Sequence, residues 1–371
     1  MRVHLVALPH TDPTFDWSTC AYSGKIRRLG GMLTGQGHEV ILYGGERSDA
    51  VVKELVTIVT DEDRQRWFGD ETWRERVFDR WDPGDVAWRD MNAKAIAAIR
   101  ERASPRDVIG IIAGRCQAEI VAAFPGHIAW EWGVGYSGVL PGTFRVFESH
   151  AWRAHVAGRE HDDNFRAFDA VIPNAWAPGE FPRLGSGDGG YLLFIGRLLR
   201  RKGPDVAAAA ARAIGARLVV AGQGVGTVQP GKITCADGTV LEGDVEYAGI
   251  VGPEERAQLY ENAAATFVPT QYLEPFGGVS VESQLAGTPV IATPWGGLVE
   301  NVRHGASGYL CSTLAQFVEG AAAAVTLDRA AIRVHALATW TTGIIAPQYD
   351  AHLRRLATLW NDGWYHLEEA A

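Results

Sequence analysis

The sequence predicts an α/β protein of two doubly wound parallel-sheet domains, and three observations carry that prediction. With 371 residues, 47% of them apolar, the chain is too long for one compact core and suits two domains of ordinary size. Buried-strand patterns alternate with helix-length runs in both halves. Many of the 43 glycines fall at strand-to-helix junctions, where parallel α/β folds bring backbone close to ligands.

In the first half, Val3 to Leu8 reads as a core strand, Ser23-Gly24 to about Gly35 as a helix, and Glu39 to Tyr43 as the next strand. The charged stretch from Val51 to Asp82, with Trp67, Trp73 and Trp81, reads as an elaboration of the domain. A helix from Gly84 to Ala103 feeds a strand at Val108 to Ala113, and His127 to Trp132 is another, opening into the glycine-broken loop 133–138, which includes Tyr136. A helix around Val146 to Val156 and a short strand at Ala170 to Ile172 follow. The polar, glycine-rich stretch Leu184 to Gly190 is the linker candidate. It places a first domain at 1–186 and a second at 187–345.

The second half restarts the pattern with a strand at Tyr191 to Ile195, an alanine-rich helix at Pro204 to Ala213 and a strand at Arg217 to Ala221. Further strands are expected near Glu246, Ala265 and Pro289. Beyond Asp328 the chain turns helical, and its aromatics at Trp340, Trp360, Trp364 and Tyr365 suit the segment 346–371 to packing back on the first domain.

A formal charge of −9 argues against general binding to nucleic acid, which is driven by clustered Lys and Arg releasing counterions. The cysteines Cys20, Cys116, Cys235 and Cys311 have neither a C-x-x-C pair nor metal-ligand spacing, which favours free thiols in the cytoplasm. No export signal opens the chain and no run approaches 18 apolar residues, so no membrane span is expected.

Three constellations carry chemistry. Gly196-Arg197 to Lys202-Gly203 lies between a strand and a helix, where fixed cations and backbone donors suit a diphosphate; the same turn reads equally as a solvated basic helix cap. Glu274-Pro-Phe-Gly277-Gly278-Val-Ser-Val-Glu282 sets two carboxylates around an elbow that starts a helix, leaving Glu274 in the loop and Glu282 about one turn in. Carboxylates at such places accept from sugar and ribose hydroxyls, while bare spacing of the two would arise by coincidence. Gly296-Gly297-Leu-Val-Glu300, with Gly305 and Gly308, is a third, in which Glu300 reads equally as an ordinary helical surface residue. Gly222-Gln-Gly224-Val-Gly226 lacks the spacing of a dinucleotide fingerprint, and Gly24-Lys25 is no P-loop.

Taken in order, with Ala221-Gly222, Tyr247-x-Gly249 and Gly287-Thr-Pro289-Val290 between them, these motifs resemble the fourth sequence family of glycosyltransferases, the large retaining group of the GT-B fold also called glycosyl transferases group 1. The resemblance spans about Tyr191 to Cys311 and extends weakly into the first half through Ser23-Gly24, Gly37-His38-Glu39-Val40, Asp169 to Ile172 and Asn174. It implies two Rossmann-like domains with the active site in the cleft between them and the sugar nucleotide, a UDP-sugar by preference, on the second. It also implies that Arg197 and Lys202 neutralise the diphosphate, Glu282 takes the ribose hydroxyls and Glu274 holds the transferred sugar. Gly24, Gly196 and the backbone at Phe276, Gly277, Gly278 and Val279 would contact donor, and the base would lie near Ile250 and Val251. The family uses no metal, and no other cofactor is expected.

Where family members carry a histidine at the end of a first-domain strand, this sequence places Glu131. A carboxylate there would stabilise positive charge developing on the sugar ring, or it is a structural strand-end residue. The expected function is metal-independent, retaining sugar transfer to an acceptor hydroxyl on a small metabolite, a glycan or a modified nucleobase, read by the first domain, whose tryptophans and 133–138 loop suit a planar or ring-bearing molecule or, more commonly, ordinary core packing. The alternatives are a sugar-nucleotide epimerase or phosphorylase of the same fold, and a non-catalytic nucleotide-sugar-binding protein.

Overall fold

The computed structural model describes residues 1–16, 20–69, 78, 80–135, 138–161 and 168–360. Trp73, Tyr136, Trp364 and Tyr365 lie outside the described residues, as does the side chain of Trp360.

The first sheet takes its strands from β1 (Arg2–Val6), β2 (Glu39–Gly45), β3 (Glu54–Val59), β4 (Val108–Ile111), β5 (Ile128–Trp132), β6 (Phe144–Phe147) and β7 (Ala170–Val171). They pair in parallel in the order β3-β2-β1-β4-β5-β6-β7. β1, β4 and β5 are buried almost throughout because helices cover both of the sheet's faces. Those helices are α1 (Ala21–Gly35), α2 (Asp61–Phe68), α3 (Val86–Arg100), α4 (Ala118–Ala123) and α5 (His150–Arg159).

Two expectations are corrected here. The segment 51–82 is not only an elaboration, since Glu54–Val59 forms the edge strand β3 and Asp61–Phe68 forms α2, whose Thr60 side chain caps the Asp63 N–H. Val146 belongs to strand β6, and the helix starts only at His150, where Ser149 accepts from the Trp152 N–H. A serine at that position ends the strand reading and begins the helix.

The second sheet uses β8 (Tyr191–Ile195), β9 (Arg217–Ala221), β13 (Val245–Gly249), β14 (Thr266–Val268), β15 (Val290–Ala292) and β16 (Gly308–Leu310), in the parallel order β13-β9-β8-β14-β15-β16. An antiparallel unit of β10 (Val225–Gln229), β11 (Lys232–Cys235) and β12 (Val240–Glu242) is inserted between β9 and β13. The covering helices are α6 (Pro204–Ala213), α7 (Pro253–Asn262), α8 (Gly278–Leu285), α9 (Leu298–Asn301), α10 (Leu314–Ala324) and α11 (Arg329–Trp340). Helix α6 turns Ala207, Ala208, Ala210 and Ala211 inward, small side chains that let it lie close to the sheet and to α10.

Each sheet reverses strand order once, between β1 and β4 and between β8 and β14. Ligands of doubly wound folds bind beyond the C-terminal strand ends at such switch points. The chain crosses between sheets at Trp176, which pairs with the Trp340–Thr342 backbone through Trp176 N–H to Trp340 O (2.9 Å) and Thr342 N–H to Trp176 O (2.9 Å). Helix α12 (Thr342–Ala357) then packs on α1, with Ile345, Tyr349, Leu353 and Leu356 in the first sheet's core. The segment 184–190 is strapped to the second sheet's helices rather than slack, because the N–H groups of Gly185, Gly187 and Gly189 donate to Ala286, Glu261 and Asn262 carbonyls.

Candidate functional site

The loops leaving the C-terminal strand ends of both sheets enclose a cavity of about 370 Å³. Gly196 and Arg197 follow β8, Gln223 follows β9, and Thr270, Tyr272 and Glu274 follow β14 on one wall; His10 follows β1, Glu148 follows β6 and Asn174 follows β7 on the other.

Of the residues expected from sequence, Gly24, Gly196, Arg197, Lys202, Glu274, Phe276, Gly277, Gly278, Val279 and Glu282 all line this cavity. The elbow between the glutamates depends on Gly277, whose φ of 84° is left-handed and which would set a Cβ 2.6 Å from the Leu298 side chain. Its turn starts α8 at Gly278, leaving the first N–H groups of that helix without intrahelical partners and facing the cavity.

Glu274 is largely buried and accepts from Lys202 Nζ (2.8 Å) and from the Tyr272 hydroxyl (2.6 Å). Burial alone would raise its carboxyl, but the charge and hydrogen bond of Lys202, the Tyr272 hydroxyl and the charge of Arg197 outweigh burial and hold it below the usual carboxylate range. Arg197 itself makes no ion pair or side-chain hydrogen bond among the described residues, so its half-buried guanidinium is available to an anion. Glu282 accepts from Trp176 Nε1 (3.2 Å) and the Tyr260 hydroxyl (3.1 Å), with Arg256 Nη1 at 3.8 Å. Each of its oxygens keeps a lone pair for a ligand hydroxyl.

Glu131, expected at the site, is not brought there. It is fully buried in β5, and its Oε2 accepts from the Leu140 N–H (3.3 Å) and the Thr143 hydroxyl (3.2 Å), away from the cavity lining. Burial pushes its carboxyl up to about 7, against the smaller opposing pull of those hydrogen bonds and Arg145. Ile250 and Val251 also fail to line the cavity: Val251 packs with Ala257 and Tyr260 in an apolar cluster and Ile250 is exposed. Glu300 reaches across the cleft instead of lying idle on a surface, accepting from the His150 N–H (3.0 Å) and the Ala151 N–H (2.8 Å) at the start of α5.

Sequence reasoning missed several lining groups. Arg256 and Tyr260 sit four apart on α7 and meet Glu282, a spacing visible in the sequence but pointing at nothing until the partner is placed. Lys25 pairs with Glu148, whose other oxygen accepts from Asn174 Nδ2 (3.2 Å), and Arg28 pairs with Glu180 (2.9 Å). No sequence signal joins residues more than a hundred positions apart.

Residues 180–331 match the family model described as "Glycosyl transferases group 1". D-inositol 3-phosphate glycosyltransferases from Acidothermus cellulolyticus (37% identical over 135 residues) and Nocardiopsis dassonvillei (42% over 133) are similar to 33% and 32% of this chain. The chain spans only 30% of the length of either relative. Among solved structures, AviGT4, a glycosyltransferase involved in Avilamycin A biosynthesis, superposes with a TM-score of 0.66 at 22% identity, covering 96% of this chain and 98% of its own. Sucrose-phosphate synthase from Thermosynechococcus elongatus does so at 0.69 and 17%, covering 96% and 99%. Anabaena HepE in complex with UDP and glucose does so at 0.64 and 15%, covering 95% and 99%. These likenesses show the fold, two Rossmann-like domains in the GT-B arrangement.

Proposed function

We propose that this chain, whose segment 180–331 belongs to the group 1 glycosyltransferase family, is a retaining glycosyltransferase that moves a sugar from a nucleoside diphosphate donor, a UDP-sugar by preference, to an acceptor hydroxyl. The observation that carries this reading is the convergence of Arg197, Lys202, Glu274 and Glu282 around the N-terminus of α8, in a cavity walled by both sheets. The diphosphate lies against Arg197, Lys202 and the first N–H groups of α8, Glu282 accepts from the ribose, and Glu274 accepts from hydroxyls of the transferred sugar. The acceptor hydroxyl attacks from the face the diphosphate leaves, and a phosphate oxygen takes its proton. Arg197 and Lys202 stabilise the charge that grows on the leaving group.

Metal independence is supported by that supply of positive charge from side chains and a helix terminus, and a cytoplasmic setting by four free cysteines. Anabaena HepE, solved with UDP and glucose, supports a uridine donor.

Lys202→Ala and Glu282→Ala each lower transfer roughly a hundredfold or more at an unchanged melting temperature. Transfer by either variant at the native rate would overturn the assignment. Among uridine, guanosine, adenosine and thymidine diphosphosugars, the uridine donor raises the melting temperature most and transfer persists in EDTA. A melting temperature unmoved by all four would remove the donor site.

A further inference from the structure

We propose that the first-domain wall of the cavity is an acceptor subsite for an uncharged pyranose ring, with His10 hydrogen-bonded to one of its hydroxyls. The proposal rests on the glycosyltransferase reading above and names its acceptor class.

Three observations carry it. The wall is aromatic: His10 stacks on Phe78 with ring centroids 3.7 Å apart and planes 9° apart, and Trp81 stands edge-on to Phe78 at 5.4 Å. Tyr22 lies 5.7 Å from Trp81 and lines the same wall. A pyranose presents a flat C–H face that suits such rings and a rim of hydroxyls that needs polar partners at their edge.

His10 supplies that edge. It is 5% exposed and lines the cavity, and its buried Nδ1 has no hydrogen-bond partner among the described residues, while Nε2 lies 3.4 Å from Cys20 Sγ. A buried ring nitrogen without a partner is unfavourable until a ligand supplies one. Burial, and then the charge of Arg64, push the imidazole down to about 3, so near neutral pH it offers an uncharged ring nitrogen rather than a cation.

The charge pattern disfavours a phosphate on this wall. The three cations that α1 contributes to the cavity are each held by a carboxylate: Lys25 by Glu148, Arg27 by Asp49 (2.6 Å) and Arg28 by Glu180 (2.9 Å). A phosphorylated acceptor would have to break one of these pairs and leave a carboxylate facing it. On the opposite wall Arg197 has no such partner among the described residues. The anionic ligand therefore belongs to the second domain and the neutral ring to the first.

Saturation-transfer NMR on the full chain, with methyl glucopyranosides, galactopyranosides and mannopyranosides as probes and glucose 6-phosphate as the charged control, tests this. At least one methyl pyranoside receives saturation at its ring C–H protons, glucose 6-phosphate binds more weakly, and Trp81→Ala lowers pyranoside affinity about tenfold or more. Should Trp81→Ala fail to fold, His10→Leu, which keeps bulk without a polar atom, produces the same loss. No transfer to any methyl pyranoside, tighter binding of glucose 6-phosphate, or unchanged affinity in the variants would overturn the proposal. The readout needs neither donor nor turnover. Pyranoside binding by a protein blind to nucleotide sugars supports the subsite and sinks only the donor assignment, whereas donor binding without pyranoside binding sinks the subsite alone.

Discussion

Glu274 and Glu131 are both largely buried, and their surroundings send them in opposite directions. Lys202 and Tyr272 hold the first as a carboxylate, while the second has one oxygen bound to neutral donors and the other, Oε1, without a partner among the described residues. Both are a glutamate beside an aromatic or a proline in the sequence, so the distinction is invisible there. It is a matter of which charge the fold brings within reach. Because the folded Glu131 carboxyl is raised to about 7, above its ordinary 4.5, the folded state keeps a proton that the unfolded chain has already released. Its contribution is most favourable below the unfolded value and is lost as pH rises through the folded one. Glu131→Gln, which cannot ionise, should therefore gain stability relative to the parent by on the order of 2–3 kcal/mol between pH 4.5 and pH 8. Urea denaturation at the two pH values measures it, and a difference that does not change with pH would contradict the buried-acid assignment.

At the scale of elements, strands and helices were legible wherever burial was two-sided. The runs Tyr191 to Ile195 and Arg217 to Ala221 coincide with β8 and β9, and Pro204 to Ala213 coincides with α6. Two strands were less so: the edge strand β3 begins with alternating half-buried and exposed residues and was hidden among charges, and the inner strand β6 is only four residues long and half-buried at its start. The junction between α9 and α5 belongs wholly to tertiary structure. Glu300 accepts from the first two N–H groups of α5, where a carboxylate also meets the positive end of the helix, and beside it Ser149 Oγ donates to Pro275 O at 2.6 Å. These contacts join the two walls of the cavity. Glu300→Ala should speed amide exchange at His150 and Ala151 and raise the donor KM severalfold, the contacts being worth about 1–2 kcal/mol. Hydrogen exchange that leaves those two amides as protected as before would show that Glu300 does not clasp α5.

At the scale of the molecule, the two sheets meet through few covalent crossings, and the crossing at Trp176 and Trp340 is also the back of the site. Trp176 stacks on Phe276 at 6.0 Å, donates to Glu282, and pairs with the backbone that leads into α12. Trp340 is 3% exposed within the apolar cluster beneath it. Trp340→Ala should cost about 3–5 kcal/mol in equilibrium denaturation and weaken donor binding as Trp176 shifts. A stability loss well under 1 kcal/mol would mean the crossing is not a structural anchor.

The sequence by itself determined the alternation of strands and helices and the two parallel sheets, because periodicity is a local property of the chain, and its motifs around Gly196 and Gly277 singled out Arg197, Lys202, Glu274 and Glu282, which the fold brings to one cavity. Only the tertiary structure decided that Glu131 is sealed in the first core, that Arg256 and Tyr260 attend Glu282, that Glu148 meets Lys25, and that His10 faces Phe78 and Trp81. The reason is physical: partners tens to hundreds of residues apart are chosen by how the two sheets' strand ends face each other, and burial and charge at each carboxylate are set only when that cleft forms.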